Sequence, residues 1–203
     1  MSLPPLSGVI RMAQRRFHYE QAFEHYLRAN RVPYVVVDEA KKTLLPARTL
    51  DGVALPESSL KSFDFVVYQP KMNLLVDIKG RQFGSVTSAS SISNRRLESW
   101  VTREDVDGLL EWQRLFGSDF KAVFVFAYCL RQQPPDVLFE EVFSYGDRWY
   151  ALREVMLDDY EREMVLRSPK WRTVHIPRLI FDKISRPFTV RQTGTDDLPC
   201  RSR

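Results

Sequence analysis

Cysteine is nearly absent from this chain: Cys129 lies in an apolar run and Cys200 near the C-terminal end. Two thiols so placed make neither a disulfide framework nor a thiolate metal site, and Cys129 reads as a small buried hydrophobe. Histidine is equally scarce. His18 and His25 are seven residues apart with no third ligand following, and His175 is remote, so a histidine metal centre is excluded. No apolar run reaches the roughly 18–20 residues that span a bilayer. Residues 1–8 lack a charged region followed by an apolar stretch, which argues against a secretory leader. The expected setting is reducing and cytoplasmic.

What is present suits one well-packed domain: 203 residues, 44% hydrophobic and 28% charged. The net charge of +4 is unevenly spread. Between residues 79 and 103, Lys79, Arg81, Arg95, Arg96 and Arg103 face Glu98 alone, whereas residues 131–163 carry nine acids against four arginines. Such asymmetry fits one face that meets phosphates and another that does not. Arg15 and Arg16 are further candidates for phosphate contact.

Residues 1–16 read as an N-terminal arm, residues 17–190 as a single domain with its core in 17–130 and an extension in 131–190, and residues 191–203 as a flexible tail. Residues 14–29 have helical spacing, with Phe17, Phe23, Tyr26 and Leu27 apolar and Asn30 and Pro33 beyond. Residues 34–37 form a β-branched strand. Residues 41–60 form a connecting excursion broken by Pro46, Gly52 and Pro56. Two further strands then flank a tight turn at 69–73, an antiparallel hairpin. The serine-rich stretch 84–93 reads as a binding loop. Residues 102–116 form a helix with Thr102 and Asp105 as a capping pair, and Gly117 ends it. The uniformly apolar run 122–130 is a central strand covered on both faces. Beyond it come a hairpin around Gly146-Asp147, a helix over 155–166, an extended stretch over 173–180, and a polar tail after Pro187. Trp100, Trp112, Trp149 and Trp171 read as packing residues.

The most informative feature lies in the hairpin. Phe63-Asp64-Phe65-Val66-Val67-Tyr68 and Leu74-Leu75-Val76-Asp77-Ile78-Lys79-Gly80 each carry an acidic residue in a strand that is otherwise apolar. Alternation turns Leu74, Val76 and Ile78 to one face and Asp77 and Lys79 to the other. Burying these charges is costly unless they are paired, hydrated or metal-bound. Two carboxylates on neighbouring strands supply hard oxygen ligands for a divalent cation, with an ammonium within reach of a bound water.

Asp64 and Asp77-x-Lys79 on adjacent strands, after a glutamate-bearing helix and before a helix and a buried strand, resemble the PD-(D/E)xK nuclease superfamily. Phe63 stands where the family name has proline. The resemblance covers about residues 17–130 and implies a restriction-endonuclease-like α/β fold: a three-layer α/β/α core with a mixed central sheet, here with a C-terminal α+β extension. It further implies a nuclease hydrolysing phosphodiester bonds in DNA with Mg²⁺, for which Mn²⁺ can substitute. An endonuclease is the first expectation, and a catalytically inactive nucleic-acid-binding scaffold is the alternative. Many relatives are homodimers.

Carried over residue by residue, Asp64 and Asp77 would be metal ligands, with the Ile78 carbonyl a third. Lys79 would hold or deprotonate the attacking water, its pKa depressed by crowding, and offset charge on the phosphate. Glu20, with Glu24 the competitor one turn on, would complete the metal shell. Arg81, Arg95, Arg96 and Gln113 are the candidate nucleic-acid contacts.

Overall fold

A computed structural model describes residues 6–37, 61–83, 97–131 and 139–189, with side chains from residue 18 onward. The expected excursion at 41–60, the loop at 84–93, Arg95, Arg96 and the tail from 191 lie outside the described residues, as do the side chains of Arg15 and Arg16.

The elements run α1 (Leu6–Ala29), β1 (Tyr34–Val36), β2 (Phe65–Val67), β3 (Asn73–Phe83), β4 (Val101–Thr102), α2 (Arg103–Phe116), β5 (Phe120–Leu130), β6 (Phe143–Tyr145), β7 (Arg148–Met156), α3 (Leu157–Glu163), β8 (Val165–Ser168), β9 (Thr173–His175), α4 (Arg178–Ile184) and β10 (Arg186–Pro187). A mixed sheet has the order β1-β2-β3-β5-β7-β10, with β6 also on β7. β2 is antiparallel to both β1 and β3, β3 and β5 are parallel from Asn73↔Phe120 to Phe83↔Leu130, and β7 returns antiparallel to β5. A small sheet, β4-β9-β8, stands beside it.

The sheet separates two apolar layers. On one face Phe23, Tyr26 and Leu27 of α1 pack on Phe65, Val67, Leu74, Val76, Ile78 and Val125. On the other, Val106 and Leu109 of α2, Leu157 and Tyr160 of α3 and Phe181 of α4 cover Leu75, Phe124, Phe126 and Tyr128. This is the expected three-layer α/β/α arrangement. β5 is buried from Ala122 to Leu130 because helices lie on both sides of it. A parallel β3–β5 pair needs a crossover, and α2 supplies it. That helix is fixed at both ends. Thr102 and Asp105 form a reciprocal capping box, and Gly117, at φ 82°, closes the C-terminal turn with its N–H on the Gln113 carbonyl. Gly146, at φ 61°, makes the expected β6–β7 turn.

Four expectations are corrected. Helix α1 begins at Leu6 rather than near residue 14, within what was read as an arm; Ser7 and Gly8 are weak helix formers, which hides the start in sequence. The helix expected over 155–166 is confined to residues 157–163. Val155 and Met156 still belong to β7, paired with Phe124 and Val123, and Val165 opens β8. The stretch 173–180 is extended only to His175, and α4 follows Pro177. The chain after Pro187 does not fray at once: Phe188 is buried against Phe23 and Tyr26, and its N–H reaches the Leu152 carbonyl. The C-terminal extension thus adds β6, β7 and β10 to the central sheet and β8 and β9 to the small one.

Candidate active site

The cleft that the sheet opens beside α1 and α2 has a volume of about 380 Å³ and is lined by Glu20, Asp64, Asp77, Lys79, Arg81 and Trp100, among others. Five elements contribute. Tyr19 and Glu20 come from α1, Lys61, Ser62 and Asp64 from the approach to β2, Asp77 to Arg81 from β3, Trp100 to Thr102 from β4 and its lead-in, and Asp105 from α2. Close approach of α1 depends on Gly80. A Cβ there would lie 2.1 Å from the Tyr19 ring.

Asp64 sits one residue ahead of β2, yet its backbone already follows the ladder: its N–H reaches the Val76 carbonyl at 2.9 Å and its carbonyl accepts from Val37 at 2.8 Å. Its Oδ2 accepts the Ile78 N–H at 2.7 Å, which locks the carboxylate beside β3. Asp77 and Lys79 point to the same face of β3, as alternation requires, and Lys79 Nζ lies 2.7 Å from Asp77 Oδ2. The same ammonium lies 2.9 Å from Asp105 Oδ1, and Lys61 approaches that oxygen at 2.5 Å. Two lysines and two carboxylates therefore form one chain of charge across the cleft floor.

The electrostatics divide the acids into two kinds. Burial, then the charges of Asp77 and Glu20, push the Asp64 carboxyl well above the usual carboxylate range, against the opposing Ile78 N–H and Lys79. Burial also raises Asp77, with Lys79 opposing. Asp105 moves the other way. Burial alone would raise it, but Lys79, Lys61 and Thr102 together hold it well below its ordinary value. Lys79 is the correction here. Burial acts to lower it, but Asp77 and Asp105 outweigh burial and raise it, so the expected depression is absent and the side chain is an ammonium.

Glu20 lines the cleft and its charge is felt at Asp64. Glu24 does not line it, and its Oε1 is held by Arg28 and the Tyr34 hydroxyl. The two candidates are thus separated by geometry. Arg81 lines the cleft, but its guanidinium is turned inward onto the Trp100 and Gly80 carbonyls and stacks 4.2 Å over the Trp100 ring. Gln113 lies away from the cleft. It accepts the Ala122 N–H at 2.6 Å and donates to Asp158 at 2.9 Å, tying α2 to β5 and α3. Those two bonds give Gln113 a structural task apart from the nucleic-acid contact expected of it. Lys61, Tyr19, Trp100 and the second role of Asp105 were not anticipated; the capping motif alone pointed toward Asp105.

Among the described residues, no three His, Cys, Asp or Glu side chains are gathered closely enough to hold a metal ion by themselves. The donor chemistry nevertheless fits a hard dication. Asp64, Asp77 and Glu20 offer only oxygen, and their mutual repulsion at Asp64 is what a bound dication relieves. An ion that keeps several waters, as Mg²⁺ does, needs only a few protein oxygens.

No family model matches the chain, and no curated protein matches it. Among solved structures, it is similar to Hjc, a Holliday junction resolvase from the archaeal hyperthermophile Archaeoglobus fulgidus. The TM-score is 0.43 at 14% sequence identity, over 82% of this chain and 92% of that one.

Proposed function

We propose that this chain is a metal-dependent nuclease that hydrolyses phosphodiester bonds in DNA, acting as an endonuclease. The observation that carries the reading is the meeting of Asp64, Asp77 and Lys79 at one cleft, with Asp64 raised by burial and then by the like charges of Asp77 and Glu20. A fold with no use for a cation has no reason to gather these groups, because each buried carboxylate costs free energy there.

Asp64, Asp77, the Ile78 carbonyl and Glu20 would hold Mg²⁺. When bound, the ion supplies a water of lowered pKa and offsets charge developing on the phosphate oxygens. The chain's own residues do the rest. Lys79, kept protonated by Asp77 and Asp105, presents an N–H to a phosphate oxygen and favours the more negative transition state. It is an electrostatic group and not a base. The Ile78 N–H keeps Asp64 oriented. Lys61, half-exposed at the same cleft, adds positive charge where a phosphate backbone would enter.

Cleavage of supercoiled plasmid in Mg²⁺, in Mn²⁺ and in EDTA tests this. Nicking is expected with either metal and not in EDTA, with a fall of at least about hundredfold in Lys79→Ala and Asp77→Ala. Undiminished nicking in both variants would refute the assignment. Salt-sensitive binding without cleavage would instead identify a scaffold on the same fold.

A further inference from the structure

The small sheet carries a feature that the cleft chemistry leaves unused. Strands β8 and β9 pair antiparallel, and the turn between them is Pro169-Lys170-Trp171-Arg172. Residues 164–172 contain Arg167, Lys170 and Arg172 and no acid. At the tip Trp171 is 69% exposed, with the Lys170 ammonium 5.4 Å from its ring. A tryptophan left in water forgoes the burial that large aromatics otherwise supply.

The hairpin is held firmly all the same. Arg172 takes a left-handed conformation, φ 45°, with its N–H on the Pro169 carbonyl, and the Trp171 N–H reaches Ser168 Oγ. The Arg103 N–H binds the Arg172 carbonyl at 2.8 Å, and the Arg172 guanidinium pairs with Glu104 at 2.9 Å. Arg167 and Lys170 make no ion pair with a described residue.

The hairpin also reaches the cleft. Arg167 lies 5.1 Å from the centroid of the Trp100 ring, which Arg81 approaches at 4.2 Å, and Trp100 itself lines the cleft. Cations and rings therefore run without a break in kind from β3 to the hairpin: Arg81, Trp100, Arg167, then Lys170 and Trp171.

We infer that the β8–β9 hairpin is a docking element for unpaired nucleotides, with Trp171 stacking on a base while Arg167 and Lys170 meet the flanking phosphates. This rests on the nuclease reading and adds a substrate class to it: DNA with a single-stranded segment next to the cleavage site, rather than continuous duplex. The chemistry decides between the two. A continuous duplex hides the faces of its bases, whereas an exposed indole flanked by cations suits a base whose face is free and a strand whose phosphates need neutralising. Glu98 and Glu104 are the acids near this track. Glu104 pairs with Arg172, and Glu98, which accepts from Trp100 Nε1, lies 3.9 Å from Arg81, so both acids are matched by a cation other than Arg167 and Lys170.

The test measures binding, in EDTA, of labelled oligonucleotides to the full chain by fluorescence anisotropy. The probes are a single strand, a continuous duplex, and a duplex with a single-stranded flap. Trp171→Ala is expected to weaken single-strand and flap binding about tenfold, the worth of one stacked base. Duplex affinity should change less than about twofold. Trp171→Phe should retain most of the single-strand affinity, and Arg167→Ala should lower it together with its salt dependence. Trp171 is exposed, so unchanged melting of Trp171→Ala verifies that the fold is intact. Equal loss on all three probes, or no loss on any, would overturn the inference while plasmid nicking by the same variants leaves the nuclease reading standing. Failure of the wild type to bind any of the probes would overturn the inference, and plasmid nicking in Mg²⁺ would then decide the nuclease reading by itself.

Discussion

Asp105 Oδ1 lies 2.9 Å from Lys79 Nζ, so the residue that caps α2 also holds the cleft ammonium in place. The two tasks use different oxygens. Oδ2 accepts from the Thr102 N–H and hydroxyl, while Oδ1 faces Lys79 and Lys61. Removing this carboxylate leaves buried Lys79 with Asp77 alone, deprives Lys61 of its ion-pair partner and opens the first turn of α2. Asp105→Ala is expected to cost about 3 kcal/mol in urea denaturation, against about 1 kcal/mol for Thr102→Ala, which loses only the cap. Equal costs would mean that the ion pairs contribute nothing.

Asp64 predicts an exchange of stability for activity. Its folded pKa is raised above the ordinary 3.8, with burial the largest cause. A group so shifted favours the fold below its unfolded pKa and loses that contribution as pH rises through the folded value. Above the folded value the ionised carboxylate is therefore a liability. Asp64→Asn should raise the melting temperature without metal and abolish nicking. Added Mg²⁺ should stabilise the wild type and not the variant, because a ligand stabilises only the state that binds it. A lower melting point for Asp64→Asn in EDTA would contradict this account.

Gly80 and Tyr19 form a contact with no room in it. In Gly80→Ala the new methyl would fall 2.1–2.5 Å from ring carbons of Tyr19, forcing α1 away from β3 and Glu20 with it. The expected cost is about 1–3 kcal/mol, with a loss of cleavage larger than the fall in stability explains. Tyr19→Ala in the same chain should recover part of both. Chemical denaturation and plasmid nicking on the three variants decide the matter.

His18 gives the fold a pH dependence away from the cleft floor. Its Nδ1 is 2.9 Å from the Tyr150 hydroxyl, and burial, with Arg148 adding to it, lowers its pKa below 6.5. A lowered histidine contributes stability above the unfolded value and loses it as pH falls through the folded one. Unfolding free energy should therefore drop between about pH 7 and about pH 5 more steeply in the wild type than in His18→Gln. Parallel slopes would rule the residue out.

Gln113 separates a structural role from a substrate one. Its amide joins the Ala122 N–H to Asp158 and lies away from the cleft. Gln113→Ala is expected to cost about 1–2 kcal/mol by leaving the Ala122 N–H unpaired, with unchanged affinity for DNA. Weakened binding at unchanged stability would restore the residue to the interface.

Much of the site was legible because it is written in short-range pattern. Alternation alone put Asp77 and Lys79 on one face of β3, the Thr102–Asp105 spacing announced a capping box, and the run 122–130 announced a doubly covered strand. What stayed hidden depends on distant partners. Nothing near Asp105 reveals that the β3–β5 crossover carries it to Lys79, and the expected depression of Lys79 failed for that reason. Val155 and Met156 look helical until β5 is there to pair with them. Phe188 lies in a polar stretch, and its burial needs α1 from the other end of the chain.

The parallel pairing of β3 with β5 has a consequence for synthesis. A nascent polypeptide released from the ribosome only as far as β3 has both hairpin acids, but neither the carboxylate that steadies Lys79 nor the strand against which β3 must lie. The cleft built on β3 is therefore complete only after residue 130 has emerged. Truncated products ending before that point would lack the strand against which the acid and the ammonium of β3 are set.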